Sequence, residues 1–208
     1  DNSHSDYINA NFLPGFNSSK EYIATQGPLP GTINDFWRMI WEYNVTIIVM
    51  LTSCKESGRS KCAQYWPSEF GDAVVYGDIR VENTSSSTIN TYTCSVLHLT
   101  TKTQSEVRVV KHFHFLTWKD MTASIERHDI LEFISTIRQH ITPQQDGPIV
   151  VHCSAGVGRT GTFIVLDYIM QYIQTHDLKN TLDIYGFIMK LRDYRVLIVQ
   201  SEVSRFAC

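Results

Sequence analysis

The sequence predicts an α/β domain, a mixed β-sheet with helices on both sides, and three observations carry that prediction. Ile149, Val150, Val151 and His152 form a β-branched run that passes through a small-residue loop into the apolar stretch Phe163 to Gln174, which reads as strand, loop and helix. Val45 to Leu51 is a continuous apolar run of strand length, the pattern of a strand covered on both faces. Stripes at helical spacing recur between strand-like segments, at Ile33, Phe36, Trp37, Ile40 and Trp41, at Ile130, Ile134, Ile137 and Ile141, and at Ile184, Phe187, Ile188 and Leu191. In such sheets ligands gather beyond the carboxyl ends of the strands, where the loop after His152 would lie.

Taken in order, Ser5 to Phe12 and Tyr22 to Pro28 read as short strands closed by Gly and Pro. Thr32 is placed as the N-cap of the first helix, which runs to about Tyr43. Lys61 to Trp66, Val74 to Glu82, Tyr92 to Leu99 and Val107 to Leu116 continue the strands, and polar Asn83 to Asn90 reads as a hairpin or loop. In the last strand Val107, Val109, Phe113 and Phe115 alternate with Arg108, His112 and His114, so one side is expected in the core and the other in water. His112 and His114 share a face as metal ligands could, but without a third ligand nearby they are read as a solvated strand face.

A chain of 208 residues, 43% hydrophobic, suits one domain with a substantial core, taken as 1–208 because no repeat or low-complexity linker divides it. A net charge of -3 gives no sign of nucleic-acid binding, and no apolar run reaches the length of a membrane span. Five cysteines, an odd number without metal-type spacing, favour a reducing compartment over a disulfide framework. Asn17, Asn44 and Asn83 head N-x-S/T triplets, which matter only in a secreted chain and are discounted.

The chemistry concentrates between Cys153 and Arg159. Three of the residues between them are Ala or Gly, namely Ala155, Gly156 and Gly158, so the backbone can curl until successive N–H groups point into one concavity suited to phosphate oxygens. The helix that follows adds its free N-terminal donors and the positive end of its dipole. The same field favours the thiolate form of a cysteine so placed, a nucleophile as it stands. Arg159 offers a planar fork for two phosphoryl oxygens.

With its flanking strand and helix, the loop HCSAGVGRTG, His152 to Gly161, resembles the signature of the protein tyrosine phosphatases, most closely the catalytic domains of receptor-type members. SDYINANF at Ser5 to Phe12 and YIATQGPLP at Tyr22 to Pro30 are similar to other segments of that family. The resemblance implies a highly twisted mixed sheet and hydrolysis of phosphotyrosine through a cysteinyl phosphate. It makes Cys153 the nucleophile, with Ser154, Ala155, Gly156, Val157, Gly158 and Arg159 as the phosphate cradle. Trp118-Lys119-Asp120 stands where the family has Trp-Pro-Asp, so Asp120 is the implied general acid and later base. Val199-Gln200-Ser201-Glu202 resembles the water-positioning loop, which gives that role to Gln200. His152, Thr160, Trp118, Glu56 and Lys61 are implied supports, the last two in a loop bracing Arg159 and the acid loop. No metal or organic cofactor is implied. The expected partners are phosphotyrosine-containing proteins, and the expected setting is the cytoplasmic domain of a single-pass membrane receptor, with membrane association only through segments outside this chain.

Four departures from the family pattern matter. Lys119 replaces Pro, Met121 to Ser124 lacks the usual Gly and second Pro, Ser204 stands where a second Gln is expected, and the substrate-recognition loop and last helix are expected beyond the two ends. Losing the Pro widens the loop's conformations at a cost of about 0.4–1 kcal/mol to the closed pose, and a Lys beside Asp120 favours its carboxylate over the acid that the first step needs. A slower enzyme is the expectation. A catalytically weak phosphotyrosine-binding or regulatory domain, or a phosphoinositide phosphatase, is the alternative.

Overall fold

The computed structural model describes residues 7–103, 106–118, 126–142, 147–177 and 181–200. Its strands are β1 (Ala10–Leu13), β2 (Tyr22–Thr25), β3 (Ile47–Met50), β4 (Lys55–Glu56), β5 (Arg59–Ser60), β6 (Ala73–Tyr76), β7 (Ile79–Ile89), β8 (Tyr92–Thr101), β9 (Arg108–Phe115) and β10 (Ile149–His152). Its helices are α1 (Ile33–Glu42), α2 (Arg127–Gln139), α3 (Gly158–Thr175) and α4 (Ile184–Tyr194). Eight strands form one sheet in the order β1-β2-β10-β3-β9-β8-β7-β6, while β4 and β5 make a separate hairpin. The pairs of β10 with β2 and β3, and of β3 with β9, are parallel; the remaining pairs are antiparallel, so the sheet is mixed as the pattern predicts.

Alternate residues of β3 serve two cores, as the pleat requires. Ile48 and Met50 meet Phe36, Trp37 and Ile40 of α1. Ile47 and Val49 meet Ile130, Phe133 and Ile134 of α2, Phe163 to Leu166 of α3 and Leu191 of α4. Apolar surface removed from water on both faces is worth about 1.5–3 kcal/mol for each fully buried large side chain, which explains why β3 and β10 lack polar alternation. Behind the sheet, Asp167 of α3 accepts from Tyr22 Oη at 2.5 Å and from Arg138 Nε at 2.7 Å, tying α3 to β2 and α2. Among the described residues no helix is long and apolar enough to cross a membrane.

Several expectations are corrected. Lys61 to Trp66 is not a strand: its backbone is committed elsewhere, with Lys61 N–H on Cys54 O at 2.9 Å, Ala63 N–H on Pro28 O at 2.7 Å, and Tyr65 O accepting from Trp37 Nε1 at 2.7 Å. Val74 to Glu82 is split by a turn at Gly77, whose φ of +62° suits glycine. Asn83 to Asn90 is the hairpin of the two alternatives and not a loop: it forms the end of β7 and the turn into β8, its hydroxyls pairing across the ribbon, Ser86 with Ser95 at 3.1 Å and Thr88 with Thr93 at 2.9 Å, with the turn at Asn90. Thr32 takes the N-cap position of α1 as expected, its carbonyl accepting from Phe36 N–H at 3.0 Å, but its side chain makes no capping bond; Oγ1 accepts instead from Leu29 N–H at 3.0 Å, closing the turn before the helix. Val107, just before β9, and Val109 within it are exposed where core was expected and join neither core, whereas His112 is buried where water was expected, since Tyr65 covers that face. Ile141 lies past the end of α2 and still packs against the core.

Candidate active site

The loop leaves the sheet from its middle, because Ile149 of β10 is paired with Tyr22 on one side and Ile47 on the other. Between Cys153 and the start of α3, all five carbonyls are engaged by groups outside the loop. Cys153 O accepts from His152 Nδ1 at 3.0 Å and Ser154 O from Gly27 N–H at 2.9 Å. Ala155 O and Gly156 O accept from Arg195 at 3.0 and 2.7 Å. Val157 O accepts from Val199 N–H at 3.0 Å. A planar trans peptide points its N–H opposite to its carbonyl, so these bonds turn the donors of residues 154–158 to the other side of the loop. There Gly156 N–H already meets Cys153 Sγ at 3.3 Å. Gly156 has φ +70°, and a Cβ on it would stand 2.1 Å from Thr25 O, so no other residue fits this curl.

Arg159, 8% exposed, stands one residue into α3 and is held from three sides. Glu56 of the β4–β5 hairpin takes it in a bidentate pair at 2.7 and 2.7 Å, while Leu51 O and Trp118 O accept at 2.8 and 3.0 Å. Burial pushes the Glu56 carboxyl up, but the hydrogen bonds and charge of Arg159, with help from Thr52 and Ser53, outweigh it and hold the group below the usual carboxylate range. A bidentate pair of this kind orients the guanidinium plane as well as neutralising it.

Beneath Cys153 runs a buried polar chain. A carbonyl only accepts, so His152 carries its proton on Nδ1, and its bare Nε2 accepts from Tyr65 Oη at 2.7 Å. Tyr65 Oη must then accept from His112 Nε2–H at 2.7 Å. Every imidazole in this chain is neutral. Burial pushes His152 down to about 4, and burial, with His114 and His152 nearby, pushes His112 well below its ordinary value.

The structure thus brings Cys153, Ser154 to Gly158, Arg159, Glu56, His152 and Trp118 together. Gln200 joins them: a Cβ on Gly158 would lie 3.8 Å from its Oε1, and its neighbour Val199 is bonded to the loop. Val199 pays for that position with φ +55°, a conformation costing a β-branched residue about 1–3 kcal/mol, held by Val157 O and by Arg192 on Val199 O at 3.2 Å. Thr160 is fully buried, and its Oγ1 has no hydrogen-bond partner among the described residues. Lys61 follows the hairpin that carries Glu56 and is half-buried. Lys119, Asp120 and Met121 to Ser124 lie outside the described residues, as does Ser204.

Sequence reasoning missed Arg195, Asn11, Tyr65 and His112. Arg195 follows an apolar helical stripe and resembles any cation at a helix end; only the fold turns it, 6% exposed, onto the loop carbonyls, with Asn11 Oδ1 accepting from it at 2.6 Å. The four described cysteines are free thiols, and no group of three or more His, Cys, Asp or Glu among the described residues is placed to hold a metal ion.

The sequence model of the family described as protein-tyrosine phosphatase matches residues 1–205. Receptor-type tyrosine-protein phosphatase eta of Mus musculus is 46% identical over 201 residues, covering 96% of this chain and 16% of that protein. Tyrosine-protein phosphatase 69D of Drosophila melanogaster is 43% identical over 202 residues, covering 94% and 14%. Tyrosine-protein phosphatase Lar-like of Caenorhabditis elegans is 43% identical over 197 residues, covering 95% and 9%. The chain therefore spans a sixth or less of the length of these relatives.

Proposed function

Because this chain belongs to the protein-tyrosine phosphatase family, we propose that it hydrolyses phosphotyrosine in proteins through a phosphoryl-cysteine intermediate. The observation that carries the reading is the loop whose carbonyls are all bonded outward, leaving its donors and the Cys153 sulfur on one side beside a clamped Arg159. In the first step the Cys153 thiolate forms a bond to phosphorus as the bond to the tyrosyl oxygen breaks, and Asp120 delivers a proton to that oxygen. Arg159 and the N–H groups of Ser154 to Gly158 hold the three equatorial oxygens, where charge spreads in the transition state. In the second step Gln200 positions a water, Asp120 takes its proton, and inorganic phosphate leaves the sulfur.

His152, through the outward carbonyl of Cys153, and Glu56, through Arg159, are supports that keep this geometry. Thr160, Trp118 and Lys61 are assigned supporting places beside them. Lys119, next to Asp120 in the sequence, slows the first step and leaves the residues of the cradle unchanged. The names of the relatives and the small share of their length that this chain covers support a further reading, that it works as the cytoplasmic catalytic portion of a single-pass receptor whose membrane contact lies in other segments. Turnover of a phosphotyrosyl peptide, abolished in Cys153→Ser, is the expected result. A folded wild-type chain that releases no phosphate from such a peptide, or that acts only on phosphoinositides, would overturn the proposal.

A further inference from the structure

Two buried guanidiniums flank the loop, and they differ in one respect. Arg159 is paired with the Glu56 carboxylate, so the two together bring no net charge to the pocket. Arg195 is paired with none: its partners among the described residues are Gly156 O, Ala155 O and Asn11 Oδ1. Arginine stays protonated in proteins even where burial works against the charge, as it does here, with Cys153 among the groups that offset the effect.

We infer that Arg195 supplies a net positive charge to the anion pocket, acting from behind the loop through the peptides of Ala155 and Gly156. The inference rests on the phosphate-binding reading of the loop and concerns a positioning residue that never touches the substrate. Two roles come together in it. Its fork turns two carbonyls outward, which aims the following N–H groups at the anion. Its charge, roughly 7 Å from the anion across one peptide thickness, attracts in proportion to the anion's charge. Among the described residues, His152 and Cys62 also lie close to Cys153 and bring no positive charge: burial holds the imidazole neutral, and burial, with Cys54 and Cys153 nearby, raises the Cys62 thiol well above its ordinary value.

Asn11→Asp separates the two roles. The Asn11 oxygen already accepts from Arg195 at 2.6 Å, so a carboxylate there keeps the hydrogen bond, leaves the fork on the loop and cancels the charge. Sulfate and perchlorate are tetrahedral anions of charge two and one, so they read charge at constant shape. At constant ionic strength and neutral pH, calorimetric titration of Asn11→Asp should show perchlorate weakened about 2.5-fold and sulfate about 6-fold, the new carboxylate being exposed and about 10 Å from the anion at an effective dielectric constant of about 60. The melting temperature should not fall. Arg195→Gln, where it folds, should show the same two-to-one ratio of logarithmic losses, and Arg195→Lys should restore most of it. Equal losses for the two anions, or none for either, in folded Asn11→Asp would overturn this inference alone. A wild-type chain that binds neither anion would overturn it together with the phosphatase reading.

Discussion

Lowering the pH from 7 to 4 should cost this fold roughly 3 kcal/mol through His152 alone. The imidazole is fully buried and held neutral, its value pushed by burial from the ordinary 6.5 to about 4. Above pH 6.5 neither the folded nor the unfolded chain carries the proton, and His152 makes no difference to stability. Between 6.5 and about 4 only the unfolded chain binds it, so stability falls with pH by about 1.36 kcal/mol per unit over about 2.5 units. Below about 4 both forms are protonated and the loss stops growing. His112, pushed down first by burial and then by its imidazole neighbours, adds to the loss in the same direction. Glu56, held below the usual carboxylate range, adds its own loss as the pH falls from that ordinary range towards its lowered value. Urea denaturation at several pH values between 7 and 4.5 measures this directly: the midpoint should fall steadily from pH 6.5 downward with little change in slope. A midpoint unchanged between pH 6.5 and 4.5 would refute the neutral, proton-ordered chain from His112 through Tyr65 to His152.

Other perturbations test the parts of the site separately. Glu56→Ala strands a buried guanidinium and should lower stability by about 3–5 kcal/mol in urea denaturation; a loss under about 1 kcal/mol would contradict the clamp. Gly156→Ala drives a Cβ to 2.1 Å from Thr25 O and should reduce kcat/KM on an aryl phosphate by at least about 10²-fold by spoiling the N–H array; near-normal kinetics would show that the curl is not needed. Lys119→Pro should raise kcat more for an aryl phosphate with a poor leaving group than for one with a good leaving group, since only the former depends on the acid; an equal response would remove the argument about Asp120.

The sequence announces what depends on burial and local spacing. Continuous apolar runs at Val45 to Leu51 and Ile149 to Val151 are β3 and β10, the helical stripes are α1, α2 and α4, and the loop between Cys153 and Arg159 curls as its small residues suggest. It misleads where long-range pairing decides. Ser and Thr at 84–88 look like loop residues until a partner strand supplies hydroxyls opposite them, and Lys61 to Trp66 reads as a strand although its hydrogen bonds go to Cys54 and Pro28. His112 looks wet on its own strand and is dry because Tyr65, 47 residues away, lies over it. Arg195 is the sharpest case, since nothing local distinguishes it from a solvated cation until the chain brings it beneath the loop.

The central claim is that the Cys153 sulfur takes the phosphoryl group from tyrosine. Acid quenching of the chain during turnover of a phosphotyrosyl peptide, followed by mass spectrometry of the Cys153 peptide, tests it most directly. Gln200→Ala, which slows release of phosphate in this account, should increase the fraction of that peptide carrying one phosphoryl group, and Cys153→Ser should show none. Steady turnover with no phosphoryl group on Cys153 in either active form, or turnover that survives Cys153→Ser, would contradict the account.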